Sequence, residues 1–67
     1  MNLTRQQREK VYLIYRRAIA DGNVTPYTGS YTQFRRDNVS LGFGGDYIFV
    51  AYAGMQIGVE RDGYSHT

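Results

Sequence analysis

The stretch from Val39 to Val59, VSLGFGGDYIFVAYAGMQIGV, holds two tight-turn signals, Gly44-Gly45 and Ala53-Gly54, between runs of β-forming residues. A two-residue turn at the first sets Phe43 opposite Asp46, Leu41 opposite Ile48 and Val39 opposite Val50. The same kind of turn at the second sets Tyr52 opposite Met55, Val50 opposite Ile57 and Ile48 opposite Val59. The two registers agree. Side chains alternate with period two, and both turns put Val39, Leu41, Phe43, Ile48, Val50, Tyr52, Met55, Ile57 and Val59 on one face. A further two-residue turn at Asp37-Asn38 adds Phe34 and Thr32 to it, opposite Leu41 and Phe43. The result is an antiparallel meander over about residues 31–61, followed by a short C-terminal tail.

What covers that face lies upstream. Thr4 with Gln7 three residues on makes a capping box, and Gly22 after Asp21 supplies a left-handed stop, so the spacing predicts a helix over about 4–21. At 100° per residue Val11, Ile14, Tyr15, Ala18 and Ile19 share one stripe, with Tyr12 at its border. Glu9, Lys10, Arg16 and Arg17 fall on the solvated side, and Leu13 sits among them as an apolar exception. Residues 22–30 contain the only proline, Pro26, and read as a loop. The chain is therefore read as a single domain, 1–67, of the α+β class. One N-terminal helix packs on a three- or four-stranded antiparallel meander in two layers.

Length and composition narrow the chemistry. Sixty-seven residues with no cysteine and one histidine allow no disulfide and no thiol nucleophile. They also fall short of the three or four soft or imidazole ligands of the usual zinc sites. Gly42 to Asp46 imitates a phosphate-binding glycine loop, but it leads into a strand and offers no helix N-terminus to an anion. His66 lies beside the chain end, poor ground for a catalytic base. Asp46, Glu60 and Asp62 sit at turns and read as solvated charges. The expectation is a non-enzyme with no cofactor and no metal. No apolar run is long enough to span a bilayer, and the first twenty residues are rich in arginine where a secretory signal would be apolar, so the expected location is the cytoplasm. The net charge of +2 is uneven, with residues 1–21 at +3 and residues 38–67 at -2.

The predicted outer sheet face carries Tyr31, Arg35, Tyr47 and Phe49, and the single helix is already used on the other side. Such rings can shelter backbone at Gly42 and Gly58. Aromatic and arginine side chains together also have the composition of a binding hot spot. The expected partner-binding set is Tyr31, Arg35, Tyr47 and Phe49 on the sheet, with Leu13, Arg16 and Arg17 on the helix. A host protein, or a second copy of this chain, is the expected partner. Single-stranded nucleic acid stacked on the sheet is the alternative. It ranks lower because Glu60 offsets Arg35 on that face and the excess positive charge lies on the helix behind.

In its small size, lack of cysteine and tyrosine-rich helix-plus-meander layout (Tyr12, Tyr15, Tyr27, Tyr31, Tyr47, Tyr52 and Tyr64), the chain resembles the short accessory proteins of bacteriophages and mobile elements, anti-CRISPR proteins among them. The resemblance implies an inhibitor that occupies a surface on a host complex such as a CRISPR effector. It carries over no site residue.

Overall fold

A computed structural model describes residues 2–22, 30–42 and 46–66. The predicted turn at Gly44-Gly45, the position of Phe43 and most of the 22–30 loop lie outside those residues. Helix α1 spans Arg5–Ala20 and helix α2 spans Tyr31–Asn38. Strands β1 (Val39–Leu41), β2 (Tyr47–Tyr52), β3 (Met55–Glu60) and β4 (Ser65–His66) follow. The strands form one antiparallel sheet in the order β1-β2-β3-β4, and the architecture is α+β.

The capping box at the start of α1 is complete. Thr4 Oγ1 accepts from the Gln7 N–H at 3.1 Å, and Gln7 Oε1 accepts from the Thr4 N–H at 2.9 Å. Gln7 is also the buried polar side chain of the core, and its Nε2 donates to the Val59 carbonyl of β3 at 3.3 Å. One side chain thus ends the helix and fastens it to the sheet. Replacing it by Leu keeps the volume but leaves the Thr4 N–H without its partner and takes from the Val59 carbonyl its second donor, the first being the paired Ile48 of β2. Gln7→Leu is therefore expected to cost about 1 to 3 kcal/mol in urea unfolding. A variant as stable as wild type would mean that water satisfies the Thr4 N–H and that the bond to Val59 adds nothing.

The sheet registers are those the two turns dictate: Val39 faces Val50, Leu41 faces Ile48, Ile48 faces Val59 and Val50 faces Ile57. Ala53 at φ 50° and Gly54 at φ 79° give the second turn two left-handed residues, the pattern that matches strand twist. The core draws Val11, Ile14, Tyr15 and Ala18 from α1, Phe34 from α2, and Val39, Ile48, Val50 and Val59 from the sheet.

Three expectations need correction. Residues 31–38 are helical and not a strand, so Tyr31, Gln33 and Arg35 leave the sheet and no turn forms at Asp37-Asn38. The cause is local. Ser30 caps the helix through its Oγ to the Gln33 N–H, Gln33 Nε2 reaches Asp37 Oδ2 at 2.8 Å one turn on, and Tyr31 and Phe34 are spaced for one helical face. The fourth strand lies at the opposite edge, where Ser65 and His66 of the expected tail pair with Val59 and Gly58. Leu41 and Met55 point to the core side by register but stay exposed.

Candidate functional site

On the outer sheet face the rings mostly cover the chain's own backbone. Tyr47 and Phe49 meet edge to face with centroids 5.2 Å apart, and a Cβ added at Gly42 would run into the Tyr47 ring. Across the sheet His66 lies over Gly58, where an added Cβ would come within 2.7 Å of the imidazole. His66 Nε2 pairs with Glu60 Oε2 at 3.0 Å, and its ring sits 6.3 Å from that of Tyr47 and 5.9 Å from that of Tyr64. The C-terminal strand thus supplies a cover the sequence reading did not assign, leaving Tyr47 and Phe49 half-buried. The Asp62-Gly63 turn after β3 was the available signal, since it folds the following residues back on that edge.

The helix side is more open. Tyr12, Tyr15, Tyr31 and Phe34 form a continuous aromatic cluster between α1 and α2, with centroid distances of 5.4 to 6.0 Å. Its inner members, Tyr15 and Phe34, are core. Its outer members, with Leu13, border a groove of about 550 Å3 lined by Arg5, Arg8, Glu9, Tyr12, Leu13 and Tyr31. Leu13 is 60% exposed and Tyr12 45%, far more than a helix shows where it faces a core. The Tyr31 hydroxyl donates to the Arg8 carbonyl at 3.3 Å, locking α2 to α1. Tyr31 also borders an adjoining recess of about 280 Å3 with Thr32, Arg35 and Arg36. Arg5 pairs with Glu9 at 3.1 Å. Among the described residues, Arg8, Arg35 and Arg36 have no carboxylate within ion-pair distance.

The set expected on one surface is therefore split. Leu13, Tyr31 and Arg35 gather on the helix side, while Tyr47 and Phe49 remain on the outer sheet face. Arg16 is an exposed side chain of α1. Arg17 is engaged within the fold, its Nε 3.1 Å from Asp21 Oδ2, the same oxygen that accepts from the Tyr52 hydroxyl. Arg5, Arg8 and Tyr12 were not singled out. Tyr12, at the edge of the core stripe and next to the misplaced Leu13, was the clue.

No protein-family model, curated protein or solved structure matches this chain. The surface must therefore be read from its own geometry. No cluster of three or more His, Cys, Asp or Glu side chains is placed to hold a metal ion among the described residues. No helix among them is long and apolar enough to cross a membrane.

The Arg17–Asp21–Tyr52 link ties the end of α1 to the end of β2. The Tyr52 hydroxyl and then the Arg17 guanidinium hold the Asp21 carboxyl below its ordinary 3.8. The Asp21 hydrogen bond pushes Tyr52 above its ordinary 10.0. The lowered Asp21 value gives stability that is present above about pH 4 and fades as pH falls through it. The raised Tyr52 value gives stability that is present below about pH 10 and fades as pH rises through it. Both groups face solvent, so the effect is small. The Tm gap between wild type and Tyr52→Phe is expected to narrow above about pH 10. A gap that stays constant across that range would remove Tyr52 from the link.

Proposed function

We propose that this chain is a non-catalytic protein-binding module whose binding face is the groove between α1 and α2. The exposure of Tyr12 and Leu13 beside Tyr31, around one concavity with an arginine rim, carries this reading. Exposed apolar side chains that converge on a groove are the ones a partner covers. Aromatic and arginine residues are also those that dominate binding energy. The outer sheet face is the weaker candidate because its rings are spent on Gly42, Gly58 and one another.

The likeness to small phage-encoded inhibitors supports a host protein complex, such as a CRISPR effector, as the target, met in the host cytoplasm. Single-stranded nucleic acid fits less well. Tyr31 packs against Tyr12 and Tyr15 at 67° and 70°, so its ring is held within the cluster, whereas base stacking needs an open ring face. Glu9 adds a carboxylate to the same groove.

A photo-crosslinking side chain placed at Leu13 is expected to trap one discrete protein in host cells, and the same probe at Gln56 on the outer sheet face is expected to trap none. Trapping from Gln56 alone would overturn the assignment. So would single-stranded DNA or RNA binding that is steep in salt and lost in Tyr31→Ala.

A further inference from the structure

A third recess, of about 490 Å3, is lined by Asp46, Glu60, Arg61, Asp62 and Tyr64. It shares no residue with the α1–α2 groove and has the opposite charge, three carboxylates against one guanidinium. Tyr64 is 65% exposed, the most of any large apolar side chain among the described residues. Its backbone is nevertheless fixed. The Tyr64 N–H donates to Asp62 Oδ1 at 3.0 Å, its carbonyl accepts from the Glu60 N–H at 2.8 Å, and the Gly63 N–H closes the turn onto the Glu60 carbonyl at 2.9 Å. The molecule thus presents an aromatic tip, an exposed ring on a hydrogen-bonded turn flanked by carboxylates. Elsewhere it presents an aromatic and leucine groove flanked by Arg8 and by Arg5, the latter paired with Glu9.

We infer that Tyr64 of one copy seats in the Tyr12–Leu13–Tyr31 groove of a second copy, with the carboxylates beside the tip facing Arg8, Arg35 and Arg36. The inference rests on the groove being the binding face and names a second occupant for it. Charge favours this pairing over the symmetric ones, since Arg5 and Glu9 satisfy each other and groove against groove sets the remaining Arg8 on its copy, while tip against tip sets carboxylate on carboxylate. With the turn backbone already fixed, docking orders little beyond the ring itself. The contact is head to tail, one groove and one tip per copy. A single ring and its charged border bury less than a permanent dimer requires, so the association is weak and yields to a tighter target.

Sedimentation velocity tests this with three chains. The wild type is expected to grow in mass between about 10 μM and 1 mM at low salt and to associate roughly tenfold more weakly at about 0.5 M salt. Leu13→Asp, with a spoiled groove, and Tyr64→Ala, without a tip, are each expected to remain monomeric. Mixed in equal amounts they restore one contact and give a one-to-one pair and nothing larger. Both positions are exposed, and circular dichroism melts confirm folding; Arg8→Glu is a second groove variant should Leu13→Asp prove unstable. A wild type that is monomeric throughout, association that survives in a folded groove variant, or a mixture that stays monomeric would each overturn the inference. Crosslinking from Leu13 to a target is a separate readout. A monomeric chain that still crosslinks its target sinks the self-contact and leaves the groove standing.

Discussion

Phe34→Ala is expected to lower the unfolding free energy by about 3 to 5 kcal/mol and to abolish capture through the Leu13 groove in the same step. Phe34 is the buried residue of α2, and its ring lies 5.4 Å from that of Tyr15 on α1. Eight residues make about two helical turns, too few to stay helical without packing. Removing the ring therefore loosens all of α2 and withdraws Tyr31, which forms one wall of the groove. Denaturant melts give the stability change, and crosslinking at Leu13 gives the function. Phe34→Leu, which retains most of the volume, should keep the groove at a smaller cost. A Phe34→Ala protein with near-wild-type stability and intact target capture would show that α2 is held by something else.

The second large effect separates two residues that face one another. Ile48 and Leu41 are direct cross-strand partners on the core side of the sheet, yet Ile48 is 2% exposed and Leu41 59%. Ile48→Ala is expected to cost about 2 to 5 kcal/mol, the range for a deleted core side chain that leaves a cavity. Leu41→Ala is expected to stay within about 0.5 kcal/mol, as for surface positions. Since a domain of this size has only several kcal/mol in hand, Ile48→Ala alone brings it near unfolding at 37 °C. Paired urea melts decide the matter. Equal costs would mean that the helical layer, which covers Val39 of β1, extends over Leu41 as well.

That contrast also marks what could be read in the sequence. Alternation and the Ala53-Gly54 turn were enough for the registers around β2, because a one-residue slip would turn every apolar side chain outward. Thr4 and Gln7 were enough for the start of α1. The segment after Ser30 was ambiguous. Tyr31, Gln33 and Arg35 alternate with Thr32 and Phe34 as a strand would, while Tyr31 and Phe34 also fit one helical face. With a single strong apolar anchor, periodicity does not separate the two, and the cap on Ser30 together with the Tyr15 surface decides for helix. The candidate site inherited that error. Once Tyr31 and Arg35 are placed on α2, Tyr31 lines a groove with Leu13 and Arg35 an adjoining recess, away from Phe49. Leu13 itself was legible, as an apolar residue on a charged helix face. The cover that His66 gives Gly58 was not, because a two-residue strand leaves almost no pattern.

The fastening of α1 by Gln7 has a kinetic consequence. Its bond to Val59 spans 52 residues, and that of Thr4 Oγ1 to the Arg61 carbonyl spans 57. The helix and the β2–β3 hairpin are each local and form early, whereas these links exist only after the long intervening loop has closed. Losing the Gln7–Val59 link should therefore accelerate unfolding, the mark of a contact made after the transition state, whereas losing the local Gln7–Thr4 capping bond also slows refolding.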